Sequence, residues 1–543
     1  MIDLLLHGGT VLTMDPERPV ASRLGIWHGR VCGLDDDLDG VTARHTVDLR
    51  GTTVLPGFVD AHVHLAWAGH DERATDLRGA DTVAAVLDRL EAAALAAAPG
   101  AWVDAVGYDQ RPLGRHLTRH DLDTVAHGRR LHLVHTSGHA VLVDSATVAT
   151  LVRPAPGWPD DVVLAADGSP TGLFLEGATA LVGALRVPYP LEDLVDAGAT
   201  GAARCVSQGV TTVGEAGIGG GLVGRSPVEA LAYTRARERG LLPLRVRLMV
   251  AWEVLHRGGG HVGDGEVATV APGLVTGFGD DRLALGAVKA WLDGGMMART
   301  AALTEPYLVA EPTTGALSPA LAEITATAVA AHVAGWQLAL HAIGDAAVDA
   351  ALDIVELAQA ARPRPAARHR IEHAGLVRPD QLARMAAAGV TAVVQPTFVH
   401  AFGDDYAAIL GPGRAPWLYR GRGFLAAGVP LAGSSDRPVT DAAPLRGIAT
   451  MVTRQTSSGV VVGPDEGLTV EQALHAYTLG AARACGLDDA VGSLRAGKAA
   501  DLVVLDADPR AVDPGALPDV GVVATVLAGE LTHGAWPGSP NSG

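Results

Sequence analysis

Residues 55–65 read LPGFVDAHVHL, and the fold turns on this stretch. Val54–Asp60 is an apolar run of strand length, and two histidines follow it closely. Side chains alternate along extended chain, so His62 and His64 share a face and are placed to grip one metal ion. The pair alone is a weak signal. With 21 histidines in 543 residues, roughly one His-x-His is expected by chance. Its meaning depends on what the rest of the chain sets beside it.

Seven further runs of the same kind follow: Val210–Gly214, Leu244–Val250, Gly286–Leu292, Gln337–His341, His369–His373, Val390–Gln395 and Val429–Gly433. Helical patterns separate them, among them Pro319–Ala334, Ala346–Ala361 and Pro379–Ala388. Alternating strand and helix signals parallel βα units, and eight such units predict an α/β fold closed as a (β/α)8 TIM-like barrel. About 150 residues separate the first run from the second, too many for an unstructured loop. Residues 71–190 are therefore expected to form an inserted α+β subdomain capping the active-site face.

Both chain ends carry short strand signals. Residues 2–6, 10–13, 23–33 and 46–48 read as a β-meander, and VGSLRAGKAADLVVLDADP with VVATVLAGELTHG supplies similar material near the C-terminus. Neither set buries a sheet face alone, so a small composite β-sandwich from both termini is expected. The predicted domains are 1–54 plus 491–543 for that sandwich, 55–70 plus 191–490 for the barrel, and 71–190 for the insertion.

Composition narrows the function classes. Hydrophobic residues make up 48% and charged residues 19%, a globular balance. The net charge of −18 with no basic run argues against a nucleic-acid partner. No uncharged apolar run approaches the roughly 18 residues of a membrane span, and the N-terminus lacks the form of a signal peptide. Cys32, Cys205 and Cys485 are scattered and odd in number, which predicts free thiols and a cytoplasmic location. A small-molecule substrate is expected, and a homodimer is the oligomeric expectation.

Five later runs end in titratable groups: Glu215, Lys289, His341, His373 and Asp436. Strand ends at the top of a barrel converge on one cavity. Four His and an Asp then make a mixed nitrogen and oxygen donor set suited to one or two divalent ions, zinc foremost. Lys289 as an ammonium cannot ligate. A neutral amine there could take up CO2 as a carbamate that bridges two cations, whereas an ion pair with Asp293 or Glu215 would leave it structural.

Longer motifs surround these residues. LPGFVDAHVHL, LALHAIGDAAVD, RIEHAGL, SSDRPV and LRAGKAADLVVLD resemble the amidohydrolase superfamily. VKAWLDGGMMARTAALTEPY, GYDQ at 107–110, SGHAVLVDS at 137–145 and TGLFLEGA at 171–178 resemble its family 3, the YtcJ-like or N-substituted formamide deformylase-like branch. The resemblance spans essentially the whole chain. It implies a metal-dependent hydrolase of non-peptide C–N bonds (amide, formamide or cyclic amide), with His62, His64, Lys289, His341, His373 and Asp436 at the metal and Lys289 carboxylated. A deaminase of the same superfamily and a non-catalytic scaffold are the alternatives. Two departures stand out: Met296 and Met297 replace small residues, and Glu215 stands where Asp is usual.

Metal-activated water would do the chemistry, with Asp436 as general base and His373 or His341 holding the oxyanion. Tyr108, Asp109, His139 and Glu176 in the insertion, and Arg299 in the barrel, are the candidate substrate contacts. Asp345 reads as a helix N-cap, and His132 and His135 as packed residues on an apolar strand.

Overall fold

The computed structural model describes residues 1–136, 140–154, 157–259, 266–270 and 273–538. By its internal contacts the chain divides into two units, one of residues 1–65 and 202–543 and one of residues 66–201.

The first unit is built on eight parallel strands. These are β1 (Phe58–Val63), β2 (Val210–Ile218), β3 (Arg245–Ala251), β4 (Leu283–Trp291), β5 (Leu338–Ala342), β6 (Arg370–His373), β7 (Thr391–Val394) and β8 (Leu431–Gly433). They pair in chain order from β1 to β8. Most of their residues are buried, as expected of parallel strands covered on both faces. The two ends of the sheet meet beyond β8. The Asp436 amide donates to the His62 carbonyl at 2.9 Å, and the His64 amide donates to the Arg437 carbonyl at 2.9 Å. The result is a nearly closed barrel.

The helices run between the strands with readable stops. Leu321–Ala334 ends at Gly335, whose φ of +118° lies where side chains are rarely accommodated. Pro379–Ala388 begins on a proline whose missing N–H costs nothing in the first turn. Asp345–Ala361 is capped by Gly344, not by Asp345. The Asp345 carboxylate instead accepts from the Thr304 amide at 3.0 Å and pairs with Arg378.

The first expected run is corrected by the structure. Val54–Asp60 is not one strand. Thr53–Pro56 belongs to a different, six-stranded sheet, between Leu502–Leu505 and Thr10–Leu12, and the barrel begins at Phe58. Pro56 has no N–H to continue a ladder. At Gly57 a Cβ would lie 2.3 Å from the Thr211 side chain, so only glycine fits the crossing. His62 consequently lies inside β1, with His64 just past it.

The N-terminal strands are not a simple meander either. Ile2–His7 pairs antiparallel with Leu24–Trp27 and parallel with Ala43–Asp48 in a four-stranded sheet, while Thr10–Leu12 enters the six-stranded one. Gly8, at φ +75°, redirects the chain between them. Leu6, Leu24 and Val31 of the four-stranded sheet share one apolar core with Val54, Leu502 and Val526 of the six-stranded sheet.

The second unit has its own mixed sheet of six strands. Its order is Val162–Leu164, Pro170–Leu175, Ala140–Val143, Arg130–His135, Trp102–Tyr108 and Thr75–Asp76. Val86 and Leu90 of the helix Val83–Ala96 share a core with Leu131, Leu133 and Leu142. Among the described residues no helix is long and apolar enough to cross a membrane.

A buried ion pair ties the barrel to the six-stranded sheet. Arg245, in β3, donates to both carboxylate oxygens of Asp501 at 2.6 and 3.0 Å, and both residues are buried. Removing Asp501 leaves the buried Arg245 with only the half-exposed carboxylate of Asp281, 2.8 Å away. Asp501→Ala is expected to cost about 3–5 kcal/mol of stability, read as a lower urea midpoint. Replacing both, as Arg245→Met with Asp501→Leu, should cost much less. Equal midpoints for wild type and Asp501→Ala would show that the pair carries no stability.

Candidate metal centre

The centre is assembled from the inner ends of β1, β4, β5 and β6 and the loop after β8. In β6, alternation puts Arg370 and Glu372 on one face. Arg370 binds both oxygens of Glu372 and donates to the Ala61 carbonyl at 2.6 Å. Glu372 in turn holds His62 Nδ1. A carboxylate on one ring nitrogen orients an imidazole and leaves the other for a ligand. His62 Nε2 then lies 3.4 Å from Asp436 Oδ1 and 3.4 Å from Lys289 Nζ.

His373 is held in a similar way. Its Nδ1 lies 2.7 Å from Gln395 Oε1, and Gln395 donates to Ser434 Oγ at 2.9 Å. The Gln395 oxygen is therefore an acceptor, so His373 Nδ1 carries the proton and Nε2 is left as a donor atom for a cation. Asp436 is positioned by its neighbour: Ser435 donates its amide (3.0 Å) and its hydroxyl to Asp60 in β1. His373 (φ +69°) and Asp436 (φ +53°) both adopt the left-handed region. Non-glycine residues there are strained by about 1–3 kcal/mol, a cost that persists only where the surroundings over-determine the backbone.

The structure brings the predicted residues together to different degrees. Ligand atoms of His62, His373 and Asp436 all lie within 4.8 Å of one another. His64 Nε2 is 3.1 Å from Asp436 Oδ1. The His341 ring is 4.4 Å from that of His373, but its Nε2 faces the Gly294 carbonyl at 3.3 Å and Asp293 Oδ1 at 3.4 Å. Lys289 is buried, with Nζ 5.3 Å from the centre of the Trp291 ring. Asp293 is not its counter-ion, since it accepts from the amides of Ala302, Ile343 and Gly344 at 2.8–3.1 Å. Glu215 accepts from the Leu65 amide at 2.7 Å, which anchors the segment directly after His64.

Burial sets the charges. It lowers His64 to about 4 and His373 to about 3, and holds His341 well below its ordinary value, with the nearby Lys289 adding to each effect. These imidazoles are neutral at pH 7. Burial alone would raise Asp436, but the adjacent His62 and His64 rings outweigh it and hold the carboxyl well below its usual range. Lys289 is pushed down to about 8 by burial, against the attraction of Glu372 and Asp436. Burial and the charge of Glu229 push Glu215 up to about 8. Neutral imidazoles and an ionised carboxylate, converging and out of water, fit a divalent cation.

The other candidate contacts have partners within the protein. Tyr108 is buried, and its hydroxyl accepts from the Leu117 amide at 2.8 Å. Asp109 pairs with Arg111 at 2.6 Å. Arg299 donates to the Met297 carbonyl and pairs with Asp405 at 3.2 Å. His139 and the side chain of Glu176 lie outside the described residues. His132 pairs with Asp104 at 2.9 Å, and Met296 is buried.

Sequence reasoning missed Arg370, Glu372, Gln395, Ser434 and Asp60. For Glu372 a signal was present, because RIEH places a carboxylate two residues from an arginine on one strand face. Nothing local marks Gln395. Beside the centre opens a cavity of ≈ 710 Å³ whose wall includes Trp291, Asp293 and Gly294.

If Glu372 orients His62, Glu372→Gln should weaken divalent-metal binding about 10–100-fold, read by competition against a chelator. Unchanged affinity in a folded variant would remove Glu372 from the centre.

The comparisons with known proteins agree with this geometry. The sequence profile of the amidohydrolase family matches residues 45–533. YtcJ of Bacillus subtilis (strain 168) is 28% identical over 547 residues, covering 97% of this chain and 98% of its own. The N-substituted formamide deformylase of Arthrobacter pascens is 28% identical over 548 residues, covering 98% of each. The crystal structure of an uncharacterized metal-dependent hydrolase from Pyrococcus horikoshii OT3 superposes with a TM-score of 0.79 at 28% identity, covering 94% of this chain and 99% of that one. A match over this much of the chain, on a barrel of this build, establishes that the protein is a hydrolase belonging to the amidohydrolase family.

Proposed function

We propose that this protein hydrolyses a non-peptide carbon–nitrogen bond, in an amide, formamide or cyclic amide, at a divalent-metal centre held by His62, His64, Lys289, His341, His373 and Asp436. The convergence of His62, His373 and Asp436 within 4.8 Å carries the proposal. A bound cation supplies Lewis acidity and lowers the pKa of water to about 7. Zinc suits the imidazole-rich donor set best.

The chain's own residues do the rest. Asp436 is ionised and central, so it takes the proton from the attacking water and delivers it to the leaving nitrogen. Glu372 keeps His62 in one tautomer through its Nδ1. Gln395 does the same for His373. Lys289 is buried and lowered to about 8, so a share of it is the neutral amine whose nitrogen would add to CO2 with loss of a proton. On this proposal its carbamate completes the ligand set for a second ion.

One observation favours a second reading. Among the described residues the compact donor group is a triad, and His341 faces Asp293 instead of joining it. A one-metal deaminase would suit a triad of that kind. Ammonia release from an amino-substituted ring, with one metal per chain at full activity, would select it.

The test is metal analysis of the purified protein followed by a screen of N-formyl, N-acyl and cyclic amides. His62→Ala and Asp436→Ala are expected to lower kcat/KM at least about 10³-fold while the barrel stays folded. Wild-type turnover in either would sink the ligand assignment. Lys289→Ala should lose metal and regain activity with added short carboxylic acids, and failure of any such rescue counts against the carbamate.

A further inference from the structure

The cavity beside the centre has a particular chemistry. Two indoles, Trp252 and Trp291, stand in its wall with Leu222, Leu317 and Ile324. Trp291 links it to the catalytic residues, because Lys289 Nζ lies 5.3 Å from the same ring. The Gly294 carbonyl that His341 approaches at 3.3 Å is also a wall residue. On the proposed reaction, this is the neighbouring space open to the substituent of a substrate whose carbonyl sits at the centre.

Three charged residues line the cavity: Asp293, Arg299 and Glu253. Asp293 is occupied by three backbone amides. The Arg299 guanidinium is balanced by Asp405. Glu253 is different. It follows Trp252 in the short turn Trp252–Val254, takes a hydrogen bond from the Trp252 side chain, and has Glu323 as its charged neighbour. Among the described residues no cation neutralises it. Glu253 is exposed, and partial burial together with the Glu323 charge holds its carboxyl above its ordinary range.

Indole faces beside an unbalanced carboxylate attract cations, because the ring quadrupole and the formal charge act in the same sense. We infer that the cavity selects substrates whose substituent carries a protonated amine, with Glu253 as the specificity-determining residue and Trp252 and Trp291 as the walls that receive the ammonium and its alkyl stem. This inference rests on the proposed amide hydrolysis for its substrate type, but the binding of the cation does not require turnover.

The experiment compares three N-formyl amides of matched length: N-formylcadaverine, N-formylhexylamine and N-formyl-ε-aminocaproate. The cationic compound is expected to exceed the neutral one by about tenfold in kcat/KM, with the anionic one lowest. Glu253→Gln should bring the cationic-to-neutral ratio close to one. A neutral or anionic substrate that matches the cationic one, or a preference that survives Glu253→Gln, would overturn the inference. Calorimetric titration of the metal-loaded protein with pentylammonium and with pentanol gives the second readout. Tighter ammonium binding that is lost in Glu253→Gln supports the site even if no formamide is cleaved, and in that case it is the hydrolysis proposal that fails. Equal binding of amine and alcohol overturns the site even if formamides are cleaved.

Discussion

Two backbone hydrogen bonds carry more of this structure than their number suggests. The Asp436 amide meets the His62 carbonyl, and the His64 amide meets the Arg437 carbonyl. They join the loop after the last barrel strand to the first strand, so they close the barrel. They also set the donor atoms of His62 and His64 within 3.1–3.4 Å of the Asp436 carboxylate. Closure and site assembly are thus one event. A barrel that failed to close would have no centre, and the strained φ of Asp436 is sustained by the same contacts.

Around that junction the buried charges are balanced in a chain. Arg370 neutralises Glu372, Glu372 orients His62, and His62 with His64 stabilises the Asp436 carboxylate. Each partner is out of water, so each depends on the next for compensation. Lys289 stands at the edge of this chain, near the charges of Glu372 and Asp436 yet desolvated. That combination keeps it close to the point where ammonium and amine exchange. Asp293 plays a comparable part for the β5 end: it gathers the amides of Ala302, Ile343 and Gly344 and faces His341, so the loop bearing the two methionines is fastened to the barrel rim beside the cavity.

The division of labour between site and cavity follows from these positions. The centre is made of residues whose charges cancel among themselves. The cavity wall, by contrast, is largely apolar and leaves one carboxylate unmatched at Glu253. A shared indole, Trp291, borders both. On the proposed reading, chemistry and selectivity fall to different residues at neighbouring strand ends, as barrel enzymes allow through loop variation on a constant core.

Local sequence determined the strand and helix periods, the eight βα units and the donor types at strand ends, because hydrophobic periodicity is written in neighbouring residues. It placed His62 and His64 on one face for the same reason. It ran Thr53–Pro56 into the first barrel strand, because a buried apolar run looks alike in either sheet, and only the pairing with Leu502–Leu505 assigns it. Glu372 touches His62 across 310 residues of chain, and Gln395 reaches His373 through a side chain with no motif of its own. Such partnerships depend on the curvature that brings β6 and β7 round to β1. Which donors converge most tightly, and which, like His341, also turn a ring nitrogen to another partner, was decided by the tertiary structure alone, because ligand geometry is fixed by distances between strands that the one-dimensional pattern does not contain.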